Sequence, residues 1–380
     1  MKKIIYFCFF IISLYGISIV IINIIVDYKI SLLSPTTNED TTLSLRDGGK
    51  SLAYQEYNEW KAGWKKQAPK QITTFEEKLY WVLYGNRNYV PFKSAEEAWL
   101  YYSILNNALL RKDKVLFEKV KELFDTQILP MEINNIQQSV WGMVGIELYK
   151  KTGKEKYNHY IKQIYNFIIQ NDHERYGILY GGGDLFSVDG YGMTTPFLSS
   201  YAKLYNDSTA YHHAIKQING WIEANGCNQI TGLPYMTINI KSPNMPIGPP
   251  NWGRGVAWFT IGLSFLNRKD LNQESQIYID KLDSTLVQIW KKDRKFTQLI
   301  RRTSEIDLSA TFPIIYYLQI KGLITISTND INKYKTYFHN GCFYNSSGPN
   351  MGNTLSTLTN PNPLADAFFF MILNHAISTL

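Results

Sequence analysis

From about Thr73 to its end, the chain reads as one helix after another, and the helices come in two alternating kinds. One kind is apolar on nearly every side: Trp141-Gly-Met-Val-Gly-Ile146, Trp258-Phe-Thr-Ile-Gly-Leu263, Phe312-Pro-Ile-Ile-Tyr-Tyr-Leu318 and Phe368-Phe-Phe-Met-Ile-Leu373. A helix without a polar face has to be enclosed on all sides. The other kind is amphipathic and rich in lysine and tyrosine, as in Glu155-Lys-Tyr-Asn-His-Tyr-Ile161 and Ala210-Tyr-His-His-Ala-Ile215. Short links, such as Lys150-Lys-Thr-Gly-Lys-Glu155, join an enclosed helix to the amphipathic one after it. The unit recurs roughly every forty to sixty residues, the mark of an internal repeat. Six such hairpins closing into a ring give an all-α (α/α)6 toroid with the apolar helices inside. The predicted helix Phe75–Tyr84 is then the outer partner of the last inner helix. With 380 residues and 45% hydrophobic content, the chain can bury the core this needs.

The arrangement has a consequence for function. Every segment that leads into an inner helix opens on the same end of the barrel, and those segments are the long ones. Gly226 to Gly255 is a proline-rich stretch without helical pattern, and Asn340 to Asn362 is similar. Loops of that length inside a compact domain are usually functional or disordered. One rim therefore gathers Gln137, Asp184, Asp189, Trp252, Arg254, Glu305, Asp307 and Asp366. Taken singly, each reads as a helix cap or a surface charge; their convergence on one mouth marks a candidate site. The densest stretch is Asp184 to Tyr201, which delivers Asp189 to a long apolar helix predicted over Thr194–Tyr205. Gly190 and Gly192 read as a tight turn, and Pro196 as a first-turn residue whose missing N–H costs nothing.

Lys2 and Lys3 precede an uncharged run from Ile4 to Val26, long enough for the ~30 Å hydrocarbon core of a bilayer. Without a small-residue cleavage site, residues 1–28 read as a signal anchor or signal peptide, 29–72 as a spacer, and 73–380 as the catalytic-type domain. The expected location is a bacterial-type cell envelope, with the body outside the cytoplasm. Net charge is +7, from 39 basic and 32 acidic residues that are scattered along the chain. That balance suits an anionic ligand and does not point to nucleic acid. No phosphate loop, CxxC pair or clustered metal ligands appear, so no cofactor is expected. Cys227 and Cys342 each follow an Asn-Gly pair, which leaves a disulfide between them open.

Val188-Asp189-Gly190-Tyr191-Gly192-Met193-Thr-Thr-Pro196-Phe197 resembles the Asp-Gly-x-x-Met-x-x-Pro-Phe segment of unsaturated glucuronyl and rhamnogalacturonyl hydrolases, glycoside hydrolase families 88 and 105. Leu148 to Tyr157 is similar to their link between inner and outer helices. Trp252-Gly-Arg254-Gly-Val-Ala-Trp258 resembles their Trp-x-Arg-Gly-Asn-Gly-Trp motif, and Asp307-Leu-Ser-Ala-Thr311 their later Ser-Ala segment. The resemblance runs from near Ser94 to the C-terminus. It implies the (α/α)6 barrel and an oligosaccharide substrate ending in a 4,5-unsaturated uronic acid. It also implies chemistry by hydration of the vinyl ether. Asp189 matches the catalytic acid; Arg254 is the expected partner of the substrate carboxylate, since guanidinium binds carboxylate bidentately. Trp252, Trp258 and Tyr191 are candidate stacking groups, although Trp258, on the helix itself, reads first as core packing; Gln137, Asp184 and Asp307 are expected as further substrate-binding residues.

Three positions depart from the pattern. The second Asp of these families, placed by spacing, is Gln137 here; their His after Gly-Leu-x-Tyr is Met236; and their Asn-Gly in the arginine motif is Val256-Ala257. Two other readings therefore stand beside the hydrolase: a uronate lyase or epimerase on the same toroid, with His173 or a tyrosine as base, and a non-catalytic saccharide-binding protein of a surface-polysaccharide system.

Overall fold

The computed structural model describes residues 94–170, 181–182, 185–239, 245–247, 251–303, 305–339, 342–347 and 362–378. The N-terminal run, the spacer, the expected helix Phe75–Tyr84, Cys8, His173 and Asp184 lie outside the described residues. Among the described residues, no helix is long and apolar enough to cross a membrane.

Eleven α-helices run through the described chain. In order they are α1 (Ala95–Leu110), α2 (Lys114–Leu123), α3 (Ser139–Thr152), α4 (Glu155–Gln170), α5 (Asp189–Tyr205), α6 (Ser208–Glu223), α7 (Gly253–Ser264), α8 (Gln273–Asp293), α9 (Leu308–Ile320), α10 (Thr328–Asn332) and α11 (Pro363–Ser378). The odd-numbered helices form the inner ring. Each packs on the next, α1 on α3, then α5, α7, α9 and α11, and α11 returns to α1. Of the even-numbered helices, α2, α4 and α6 lie against the inner helix before them, and α8 against α6 and α9. Inner helices bury nearly every side chain: Phe312, Ile314, Ile315, Tyr317 and Leu318 on α9, and Leu364 through Leu373 on α11. Outer helix α4 buries one stripe, Tyr157, Tyr160, Ile161, Ile164 and Ile168, and leaves its lysines in water. The two patterns read from the sequence are thus the two layers of the barrel.

The links from inner to outer helices are capped tightly. Asp113 and Asp207 cap α2 and α6 through side-chain oxygens, and Gly153 ends α3 in the left-handed region at φ 65°. The segments on the other end hold two small sheets that the absence of period-2 pattern did not suggest. Strands β1 (Gly181–Gly182), β2 (Leu185–Ser187), β3 (Thr237–Asn239) and β4 (Met245–Ile247) pair antiparallel in that order, with Phe186 opposite Ile238. Strands β5 (Phe338–His339) and β6 (Cys342–Phe343) form a second pair. At two or three residues each, they are too short to print an alternation on the sequence.

Other expectations are corrected. The helix predicted from Thr194 begins at Asp189, so Gly190 and Gly192 are helical and Pro196 is interior. Packing overrides the weak helix propensity of glycine here. A Cβ on Gly192 would fall 2.4 Å from the Trp258 ring, so the residue provides closeness rather than a turn. After α9 the chain forms only the short α10, a 3-10 turn Lys335–Tyr337 and β5. Asn225, at φ 57°, takes a left-handed position just beyond the end of α6. Cys227 and Cys342 are both buried and are not joined to each other, so the possible disulfide between them is absent.

Candidate active site

The N-terminal ends of α1, α5, α7 and α9 meet at one mouth, tied together by side chains from their first turns. On α7, Arg254 is 2% exposed. Its Nη1 donates to the Ser347 carbonyl at 2.9 Å, and its Nη2 pairs with the Glu96 carboxylate from the first turn of α1. Helices α1 and α7 lie opposite each other in the ring of six, so this ion pair crosses the mouth. Ser347 is fixed in turn: its N–H donates to Asp307 Oδ1 at 3.1 Å, and its carbonyl also accepts from Asn362 Nδ2 at 3.1 Å.

Asp189 is the first residue of α5 and is half-buried. Its Oδ1 is shielded from solvent and has no hydrogen-bond partner among the described residues. Burial raises the carboxyl to a pKa of about 7; the Arg254 charge opposes the rise, Glu96 reinforces it, and a hydrogen bond from Ser187 opposes it. The chain reaches this place through β2, and Val188 N–H donates to the Met236 carbonyl at 3.0 Å. The Met236 position, where the resemblance leads one to expect histidine, therefore lies along the backbone beside the acid. The 3-10 turn Ile136–Gln138, which carries half-buried Gln137, packs against α5.

Several residues expected to touch a ligand are placed otherwise. Tyr191, Trp252 and Trp258 are each 1% exposed and fill the barrel core, so none presents a stacking face. Tyr191 meets Trp221 and Phe259 edge-on, at ring separations of 5.2 and 5.8 Å. Trp252 covers Gly255 beside Val188. Trp258 packs on Gly192 and lies under the Arg254 guanidinium, 6.0 Å from the ring centre. Asp307 is fully buried as the N-cap of α9, accepting from Ser309 N at 3.0 Å and Ser309 Oγ at 2.7 Å. Its place is behind Ser347, where it steadies the group that steadies Arg254. Asp366 is also buried and accepts from Phe343 N–H at 2.7 Å. Gly253 explains its own place in the arginine motif: a Cβ would lie 2.2 Å from the Thr297 carbonyl, which closes on it from the segment before α9.

Two acids of the mouth carried no mark in the sequence. Glu96 is one. Glu97 reads as half of a capping box with Ser94, and Ser94 Oγ does accept from Glu97 N–H at 3.3 Å. The Glu97 carboxyl, however, is turned inside, 1% exposed, and neither oxygen has a hydrogen-bond partner among the described residues. Burial raises its pKa well above the usual range, with the Ser94 N–H opposing the rise without closing a hydrogen bond of ordinary geometry and Glu96 adding to it. Among the described residues no group of three or more His, Cys, Asp or Glu is placed to hold a metal ion. A cavity of about 640 Å3 between the end of α8 and residues 295–303 lies on the outer flank and contains none of these residues.

The model of Glycosyl Hydrolase Family 88 matches residues 55–335. No curated protein matches the chain significantly. Among solved structures, it is similar to a possible member of glycoside hydrolase family 105 from Salmonella enterica serovar Paratyphi A, with 15% identity, TM-score 0.68, and 90% of this chain and 96% of that chain covered. A possible member of the same family from Klebsiella pneumoniae aligns with 15% identity, TM-score 0.65, and coverage of 76% and 83%. An unsaturated glucuronyl hydrolase specific for heparin aligns with 14% identity, TM-score 0.64, and coverage of 88% and 97%. Identities this low carry the fold, the six-hairpin barrel.

Proposed function

The chain belongs to Glycosyl Hydrolase Family 88, and from that premise we propose that this glycoside hydrolase removes the unsaturated uronic acid end of acidic oligosaccharides by hydrating its vinyl ether. Asp189 gives its proton to C4 of the double bond. The cation left at C5 takes a water, whose proton passes to the Asp189 carboxylate. The hemiketal so formed opens, and the glycosidic bond is lost. One carboxyl serves both steps because it releases a proton before it must accept one.

The observation that carries the reading is the state of Asp189. A carboxyl with a pKa of about 7, beside a buried arginine, is an acid at neutral pH that can still ionise. The family's usual second Asp is Gln137 here, and the structure supports the acid by other means: burial and Glu96. The reading also includes the envelope location inferred from Lys2, Lys3 and the apolar run; cell fractionation checks it.

The test uses oligosaccharides cut by a polysaccharide lyase. The protein should abolish the absorbance of the unsaturated uronate, whereas a lyase would raise it. Asp189→Asn should lose turnover by a factor of about 10²–10⁴ and retain binding. Full activity in that variant would overturn the assignment.

A further inference from the structure

Arg254 is the group through which a uronate would be recognised, and in this structure a carboxylate from the protein itself already occupies it. We propose that Glu96 sets the specificity of the site: it stands on Arg254 where the substrate carboxylate binds, and an acidic saccharide enters by taking its place. This rests on the reading of the enzyme as one that acts on acidic saccharide ends.

The geometry points this way at three places. The guanidinium is 2% exposed and its carboxylate partner 16%, so the more exposed member of the pair is Glu96. The Nη1 edge is committed to Ser347 O, a carbonyl that Asn362 also holds, while Nε has no hydrogen-bond partner among the described residues, so the Nε–Nη2 edge is the one that can take a new carboxylate. Finally, the pair joins opposite helices of the ring. A sugar ring cannot occupy the space between α1 and α7 without separating the two side chains.

Exchange of one carboxylate for another leaves the buried guanidinium neutralised throughout. A neutral sugar offers no such replacement, and breaking the pair for it would strand a buried charge. Glu96 thus acts as a filter: it is displaced by a ligand that carries its own carboxylate and holds out against one that does not. Of the other acids of the mouth, Asp307 is engaged with Ser309 and Ser347, and Asp366 with Phe343.

Calorimetric binding in the Asp189→Asn background tests the exchange, with a 4,5-unsaturated uronyl disaccharide and its methyl ester as probes. Adding Glu96→Gln should tighten binding of the acid about tenfold, because the competing internal partner is weakened. The methyl ester should bind more tightly too, because the pair that holds it out is weakened; mere relief of charge repulsion would tighten the acid alone. Glu96→Asp keeps the charge but draws it back from Arg254, and it should also tighten binding of the acid. Mere relief of charge repulsion would leave the Asp variant as weak as the parent. Unchanged or weaker binding of the acid in folded Glu96→Asp protein overturns the proposal, even where Glu96→Gln fails to fold. Absence of acid binding in every variant and in the parent rejects the functional reading and the exchange together.

Discussion

At the scale of single residues, the proposed mechanism makes the carboxyl of Asp189 govern both activity and stability, and its protonated form favours both. Activity needs it protonated at the start of the reaction. With a pKa of about 7, kcat/KM should be flat below that value and fall tenfold per pH unit above it. For stability, the folded pKa lies above the ordinary aspartate value, so the folded protein keeps a proton that the unfolded chain gives up. The contribution is full below about pH 4 and is lost as pH rises towards about 7. Asp189→Asn removes that loss. Its melting temperature should exceed that of the parent at pH 8, and the two should converge near pH 4. A constant difference across that range would mean that the acid is not perturbed. Asp189 and Arg254 were legible because they stand in ordered motifs at helix boundaries. Glu96 and Glu97 were not, since two acids in the first turn of a helix are the commonest of dipole and capping arrangements. The aromatics misled for a related reason: a tryptophan at the start of an inner helix is as well suited to filling the barrel as to stacking on sugar.

At the scale of elements, α5 shows how an irregular helix is used. Pro196 has no N–H, so the carbonyl of Gly192, four residues earlier, lacks its intrahelical donor. Trp99 Nε1 on α1 supplies one from across the barrel at 3.1 Å. The proline is thus half of a tie between two helices that are not neighbours in the ring. Trp99→Phe should cost about 1–3 kcal/mol beyond its packing loss, as the buried carbonyl is orphaned. Pro196→Ala restores the helical donor, and in that background the Trp99→Phe penalty should shrink by about 1 kcal/mol. Chemical denaturation of the four proteins in a double-mutant cycle measures the coupling. Strict additivity would show that the indole N–H does not serve that carbonyl. Sequence reading placed this helix five residues late because a glycine-rich start with an internal proline contradicts local propensity; only the tertiary partners Trp99 and Trp258 make it helical.

At the scale of the molecule, the barrel was legible because closing a ring requires six helices without a polar face, and such helices are hard to mistake. The small sheets were not, since tertiary pairing of two or three residues leaves no local signature. Closure also distinguishes this fold from an open repeat array. In an open array each hairpin meets only its neighbours, and an end unit can be lost with the rest intact. Here α11, the last described helix, joins the first: Asn374 accepts from Asn107 Nδ2 at 2.8 Å and donates to the Ser103 carbonyl at 3.0 Å on α1. Leu364, Phe368, Phe369, Phe370, Met371, Ile372 and Leu373 are all buried between α1 and α9. At about 1.5–3 kcal/mol for each large apolar side chain, removing them costs on the order of 10 kcal/mol or more. That matches the whole stability of an ordinary domain, roughly 5–15 kcal/mol. Truncation before Asn362 should therefore abolish the cooperative thermal transition and the near-ultraviolet circular dichroism of the entire barrel. Retention of a cooperative transition, with loss of only one hairpin's share of helical signal, would mean that the ring behaves as an open array. Asn374→Ala gives the graded form of the same test: it leaves the closing helix in place and should lower stability by about 1–3 kcal/mol through its unpaired polar partners.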